Sequence, residues 1–379
     1  MTVIAYFGHN AANASIRRRV QAFSDDGIEV TGFMMRRSSD VYSEWRNVDL
    51  GLTRDGALLQ RVKTIFSGAR KAAEERDLLA KADVIFARNL DMLACAFLAK
   101  RHTKLKTPVV YECQDVHRLL SRPDLIGMVV RSLERFLVKR CALVTVSSPG
   151  FEKNHFARRY KGHYTAYLLE NRLSTGSDYG PRPEPDELKT GQVLKLGWFG
   201  NLRCKRSYDL LLNIADKFGD QIEIFADGQP SDAEISDFEA GIDQRPNVHF
   251  GGRYKAPEDL ARIYGQVDLV WAGDFMEAGY NSIWLLPNRL YEGGYYVTPP
   301  IAPAGTQTAA WSEAHNSGFS LVEPLEETLP ELIGYLLADP APIAKKQAVL
   351  SALDASVFVQ PIGEMKKMID AALGRGRDG

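Results

Sequence analysis

Residues 274–303 read DFMEAGYNSIWLLPNRLYEGGYYVTPPIAP. The stretch keeps neither a 3.6-residue period nor a strict alternation, so it is not one helix or one strand. It reads as a loop holding glycine and asparagine (Ala278 to Asn281), a short helix, and a turn ending in the strand start Pro299-Pro300. Pro287 suits the first turn of that helix, where a missing N–H costs nothing, and Asn288 and Arg289 follow it. Gly293 and Gly294 are expected to end the helix or to let a ligand approach the backbone. A loop feeding a helix N-terminus, with Glu292 one turn inside, is suited to hold a phosphate and a ribose together.

Working outward, 379 residues are enough for two domains with separate cores. A net charge of −1 conceals an asymmetry: residues 1–171 carry 28 Lys and Arg against 18 Asp and Glu, and the remainder carries 19 against 30. The halves are thus +10 and −11, which points to separate tasks and a basic half that meets something anionic. Cys95, Cys113, Cys141 and Cys204 form no CxxC and have no histidine at metal-ligand spacing, so they read as thiols of a reducing compartment, most of them in the core. Met1 leads directly into a strand-like VIAYF, and no apolar run reaches the roughly 18 residues of a membrane span. A cytoplasmic protein is expected, with peripheral contact to an anionic membrane through its basic half.

The N-terminal half opens with a strand at 3–7, the loop Gly8-His9-Asn10, a helix from about Ser15 and a strand at 28–33. That order begins a doubly wound α/β domain, whose ligand crevice lies beyond the strand C-termini. The loop lacks GxGxxG, which removes most of the support for an NAD enzyme. Arg17, Arg18 and Arg19 read as the solvated side of the helix. Strands at 84–87 and 109–113 follow, and the second ends in Gln114-Asp115-Val116-His117, a site candidate by its place at a strand C-terminus. The plainer reading makes Asp115 a helix cap and His117 a surface residue. Residues 125–140, LIGMVVRSLERFLVKR, suit either an anionic membrane surface or, the preferred reading, a helix packed on the sheet. Strands at 143–146 and 168–171 close this half.

Residues 173–192 have the Ser, Gly, Pro and acidic composition of a linker. The α/β pattern then restarts: a strand at 194–199, a loop from Gly200 and Asn201 to Arg206, a helix at 208–218, strands at 222–226 and 248–250, a helix at 257–264 and a strand at 267–271. Arg203, Lys205 and Arg206 stand between a strand end and a helix start, a place for a pyrophosphate.

These residues also carry a resemblance. WFGNLRCKRSYDLLLNIA (198–215), NVHFGGRYKAPEDLARIYGQVDLVW (247–271) and LLPNRLYEGGYYVTPPIA (285–302) resemble the nucleotide-binding domain of GT-B glycosyltransferases, above all bacterial transferases building exopolysaccharides of the succinoglycan kind. VTVSSPG (144–150) and LLENRL (168–173) fit as well. The resemblance implies two Rossmann-like domains facing across a cleft. These are an acceptor-binding domain over 1–172, a linker over 173–192, a nucleotide-sugar domain over 193–357, and a C-terminal helix over 358–379 packing back on the first domain.

The resemblance also implies roles. Glu292 matches the glutamate that binds the ribose hydroxyls, Arg289 the cation facing the diphosphate, and Arg206 or Lys205 the phosphate-binding lysine. Gly200, Asn201, Arg203 and Asn288 complete the donor set, with the backbone near Gly252 and Tyr254 against the base. Gly8, His9 and Asn10 fall on the acceptor side. Two positions depart from the pattern: Trp284 replaces a glutamate found eight residues before the ribose one in many retaining members, and Asn201 replaces an arginine. The implied reaction moves a hexose from a nucleoside diphosphate sugar, expected at the family level to be a UDP-sugar, to a lipid-diphosphate-linked oligosaccharide. No DxD occurs, so no metal or other cofactor is expected, and Arg206, Lys205, Arg289 and helix dipoles are to neutralise the leaving diphosphate. Asp115 is the first choice of general base and His117 the second; in a retaining enzyme His117 would hold a sugar hydroxyl instead. Two alternatives share the ligand, a sugar-nucleotide 2-epimerase and a non-catalytic nucleotide-sugar binder. No nucleic-acid module is present.

Overall fold

The strands of the chain pair in parallel, each flanking helix returning the backbone to the same edge of its sheet. The structure is a computed structural model and describes residues 1–37, 44–53, 58–185, 189–277 and 279–375. Ala278 of the loop read above, residues 186–188 of the expected linker and residues 376–379 of the expected terminal helix lie outside the described residues. The chain divides into two units, Met1–Gly176 with Gln360–Gly379, and Ser177–Val359.

The first unit holds β1 (Val3–Gly8), β2 (Glu29–Arg36), β3 (Asn47–Leu52), β4 (Val84–Arg88), β5 (Val109–Cys113), β6 (Leu143–Val146) and β7 (Ala166–Leu168), in the order β3-β2-β1-β4-β5-β6-β7. The order reverses direction between β1 and β4, the switch point where doubly wound sheets bind ligands. β4 and β5 are buried along their whole length, as continuous apolar runs in a parallel sheet should be. Four helices matter below: α1 (Ala14–Asp25), α2 (Leu58–Glu74), α3 (Asn89–Thr103) and α4 (Leu125–Val138). Asn13 caps α1, its Oδ1 accepting from the Ser15 and Ile16 N–H groups at 3.0 and 3.3 Å. The C-terminal helix Glu364–Leu373 sends Met365, Met368 and Ile369 into the core formed by Ile16, Phe23 and Phe86.

Several expectations for this half need correction. Arg19 is buried rather than solvated: its Nε donates to Glu112 at 2.9 Å and its Nη2 to the carbonyls of Leu169 and Glu170. Those carbonyls are satisfied by arginine, which is why the strand expected at 168–171 stops at Leu168. Arg18 takes the Asn171 carbonyl in the same way. β3 escaped the sequence reading because NVDLGL, at a sheet edge, is neither alternating nor uniformly apolar.

The second unit holds β8 (Leu194–Leu202), β9 (Ile222–Pro230), β10 (Val248–Gly252), β11 (Leu269–Trp271), β12 (Pro300–Pro303) and β13 (Phe319–Leu321), in the order β10-β9-β8-β11-β12-β13. Its switch point lies between β8 and β11. The long β8–β9 ladder brings Gly200 opposite Gly228. A Cβ on Gly228 would lie 1.9 Å from the Gly200 carbonyl oxygen, and φ there is +149°, so only glycine serves. The helices that position the site are α5 (Lys205–Phe218), α6 (Asn288–Tyr295) and α7 (Leu325–Ala338). The segment after Ser177 is irregular yet fixed: Arg182 donates to the carbonyls of Leu353 at 2.8 Å and Leu350 at 2.6 Å, and Tyr296 donates to the Tyr179 carbonyl at 2.8 Å. Its composition marks irregular backbone, not a loose tether.

Candidate active site

α6 is built to bury its polar residues. Pro287 stands just before the helix as its N-cap, one position earlier than a first-turn residue, and Asn288 is the first helical residue. The helix runs through Gly293 and Gly294 to Tyr295 instead of ending at them. The reason is packing: a Cβ on Gly294 would lie 2.2 Å from Phe358 Cε1, and one on Gly293 would crowd the Thr298 carbonyl and Val270. Close approach against the sheet draws Glu292 and Arg289 inside, and both are buried. Tyr264 Oη donates to Glu292 Oε2 at 3.1 Å. Tyr264 is itself held by stacking on Tyr296, centroids 5.7 Å apart, and edge-on by Phe199 at 5.0 Å. Burial and then the Glu292 and Tyr254 charges push the Tyr264 phenol well above its ordinary range, while Arg289 pulls it down. The phenol is therefore a fixed neutral donor to the carboxylate. Arg289 Nη1 is buried with no hydrogen-bond partner among the described residues. An N–H pair left that way costs free energy until an acceptor arrives.

Tyr254, just after β10, approaches the end of β8: its Oη lies 3.9 Å from the Cβ position of Gly200. Gly200, Tyr254, Tyr264, Arg289 and Glu292 thus gather about the C-terminal end of β8. The loop ahead of α6 folds on Asp274, whose Oδ1 accepts from the Met276 N–H at 2.9 Å and Ser282 Oγ at 3.1 Å. Trp284 is half-buried and packs edge-on to Tyr280, so its ring, not a carboxylate, occupies that position.

The cationic loop differs from expectation. β8 extends to Leu202 and α5 begins at Lys205, so Lys205 and Arg206 lie in a helical first turn. Lys205 pairs with Asp209 one turn on. Arg206 donates to Glu323 at 2.9 Å and to Glu326 at 3.0 Å, beside the start of α7, and lies over the Phe275 ring. These carboxylates raise its pKa further. Arg203 and Asn201 are exposed, and no ion pair is recorded for Arg203 among the described residues. Asp227, which sequence reasoning passed over, is buried within β9 with its pKa raised by burial against the pull of Arg262. A lone aspartate in the apolar run IEIFAD was the available signal.

In the first unit, Asp115 is exposed beyond β5. The cap of the next helical turn is His117, not Asp115: its Nδ1 accepts from the Leu119 N–H at 3.2 Å. That bond puts the ring proton of neutral His117 on Nε2. At the β1–β4 switch point, Gly8 closes β1 and Asn10 Oδ1 accepts from the Ala12 N–H at 3.3 Å. His9 Nδ1 is buried with no hydrogen-bond partner among the described residues. Burial, against Asp91 and with Arg88, Arg37 and Arg61, lowers the His9 pKa to about 4. Beneath lies Glu112, which accepts from Arg88 at 2.6 Å, Arg19 at 2.9 Å and Tyr6 at 2.9 Å. Among the described residues no group of three or more His, Cys, Asp or Glu side chains is placed to hold a metal ion, and no helix is long and apolar enough to cross a membrane.

Solved structures share this architecture. Sucrose-phosphate synthase from Thermosynechococcus elongatus superposes with a TM-score of 0.72 at 16% identity, over 100% of this chain and 98% of that one. HepE from Anabaena, solved with UDP and glucose, gives 0.71 at 14% identity, over 99% and 100%. WaaG, a glycosyltransferase involved in lipopolysaccharide biosynthesis, gives 0.60 at 14% identity, again over 99% and 100%. The chain thus has the GT-B fold that these structures share. No family model matches it. It is 37% identical over 342 residues to the succinoglycan biosynthesis protein ExoL of Rhizobium meliloti (strain 1021), covering 89% of this chain and 85% of that protein. The chain belongs to the family of ExoL.

Proposed function

We propose that this glycosyltransferase moves a hexose from a UDP-sugar to a growing lipid-diphosphate-linked oligosaccharide during exopolysaccharide synthesis, at the cytoplasmic face of the plasma membrane. The observation that carries the donor assignment is Arg289 Nη1, buried and, among the described residues, unpartnered one turn before the buried Glu292. A carboxylate accepts two hydrogen bonds from a vicinal diol, and a guanidinium donates to diphosphate oxygens. Glu292, steadied by Tyr264, takes the ribose. Arg289, Asn288 and the α6 N-terminus take the diphosphate, with Gly200 and Tyr254 beside the nucleotide. The UDP in the HepE complex and the succinoglycan role in the ExoL name support this donor and this biosynthetic setting.

In the reaction the anomeric C–O bond to the diphosphate breaks, and the acceptor oxygen bonds that carbon as its proton passes to a base. Arg289 and the helix dipole meet the charge on the departing diphosphate without a metal. Arg203 is the cation of the β8–α5 turn that remains open to assist. Arg206 and Lys205 would first have to leave Glu323, Glu326 and Asp209, so they support the fold of α5 in this reading. Asp115 is the base. His117, with its lone pair spent on the helix cap, donates from Nε2 to a sugar hydroxyl instead of abstracting a proton. The basic first half, with Gly8, His9 and Asn10 at its switch point, serves an anionic acceptor.

Calorimetric titration with UDP tests the donor site. Glu292→Gln and Arg289→Met should each weaken binding by about 2 kcal/mol, or about thirtyfold. Asp115→Asn should leave the UDP Kd unchanged while abolishing elongation of a lipid-linked acceptor. Unaltered UDP affinity in both donor variants would overturn the assignment.

A further inference from the structure

α4 is built the wrong way round for a helix of a soluble domain. Its inward face carries Glu134, fully buried, which accepts from Tyr111 Oη at 3.1 Å and Tyr160 Oη at 2.5 Å and pairs with His155 Nε2 at 2.7 Å. The outward face carries Leu125, Ile126, Met128, Val129, Leu133 and Phe136, all exposed. Leu125 is 74% exposed, Val129 65% and Phe136 53%. Their spacing of four, then seven residues puts these three on one stripe along the helix. Scattered apolar side chains on a surface need no explanation, but six on one helix face do. An apolar helix face belongs against a protein core or in lipid, and a buried carboxylate hub fixes this helix so that it cannot roll that face inward.

The charges around the stripe indicate what covers it. Arg135 flanks it on the same helix, Lys139 and Arg140 follow its last turn, and Arg158, Arg159 and Lys161 are exposed on the following segment. Among the described residues none of these six is recorded in an ion pair with a carboxylate. Arg140 lies over the Phe136 ring at 3.6 Å, a cation carried at the edge of the apolar stripe. A second copy packed symmetrically on this face would bring the same cations against one another. An anionic bilayer offers both an apolar interior and a negative surface.

We infer that the outward face of α4 is a membrane-docking surface, lying in the interface of an anionic bilayer with Leu125, Val129, Leu133 and Phe136 in the acyl boundary and Arg135, Lys139 and Arg140 at the phosphates. It gives the membrane contact of the proposed function a specific surface but stands apart from the donor site, because vesicle binding requires no nucleotide.

Flotation of the full-length protein with vesicles tests it, using phosphatidylcholine alone and phosphatidylcholine with about one third phosphatidylglycerol. The wild type should float with the anionic vesicles only. Val129→Glu with Phe136→Glu should lower partitioning by about tenfold or more. Arg135→Gln and Lys139→Gln should each lower it about fivefold. UDP titration and thermal melts of the same variants should match the wild type, which separates lost docking from lost folding and from any failure of the donor reading. A wild type that stays unbound, floats equally with neutral vesicles, or floats as well after Val129→Glu with Phe136→Glu overturns the inference. So does a wild-type dimer that this double substitution dissociates while vesicles never bind.

Discussion

Glu112 shows how a single residue decides the behaviour of the first unit. Burial raises the pKa of a carboxyl group, but here the Arg88 and Arg19 charges and the bonds from Arg88 and Tyr6 overcome it and hold Glu112 at about 2. Its ordinary value is 4.5, so the ion cluster stabilises the fold fully above that pH and its contribution is lost as pH falls through about 2. His9 adds a loss of the same sign: kept neutral by burial, with a pKa of about 4 against an ordinary 6.5, it opposes folding as pH falls below 6.5. Melting temperature measured against pH should therefore decline in two stages, first between 6.5 and about 4 and then from 4.5 towards 2. Glu112→Gln should remove the lower stage and destabilise the unit at neutral pH by about 3–5 kcal/mol, because Arg19 and Arg88 remain buried without their anion. A variant as stable as the wild type at neutral pH would show the cluster to be dispensable.

At the scale of elements, the sequence discloses what local pattern controls and hides what distant packing controls. β5 and β6 were legible to the residue because VVYEC and LVTV are short apolar runs bounded by polar chain. The helix that carries Glu292 and Arg289 was legible through Pro287 ahead of it. The end of that helix was not, since Gly293 and Gly294 signal a stop by their conformational freedom, whereas here their missing side chains admit Phe358 and the β11–β12 layer. Nor does the run Arg203 to Arg206 say which cations face Glu323 and Glu326, which lie far along the chain. Tyr264, the donor to Glu292, was hidden because one tyrosine in LARIY looks like any other core residue. Gly294→Ala separates the two readings of the glycine. If it were a helix stop, alanine would lengthen the helix and stabilise it by about 1 kcal/mol. The close approach of Phe358 predicts a destabilisation of about 1–3 kcal/mol and a shifted ring, measurable by denaturant unfolding.

Across the whole molecule, the chain leaves its first unit at Gly176 and returns to it at Gln360. The return is anchored by polar bonds as well as by core residues. Asp26 accepts from the Gly363 and Lys366 N–H groups at 2.6 and 3.1 Å, and Tyr167 Oη donates to Glu364. Met365, Met368 and Ile369 complete the core around Ile16 and Phe23. Each such side chain stabilises by about 1.5–3 kcal/mol when buried, so together they approach the about 5–15 kcal/mol by which a whole domain is stable. Removing residues 360–379 should therefore unfold the first unit at ordinary temperature. Ser177–Val359 contains every residue assigned to the donor. The truncated chain should accordingly lose transfer activity and about half of its calorimetric unfolding heat, yet keep a UDP Kd within about twofold of the full chain, as independently folded units do. Loss of UDP binding together with the first unit would show that the donor site depends on that unit. Retention of both transitions would show that the terminal helix is an accessory to the first core and not part of it.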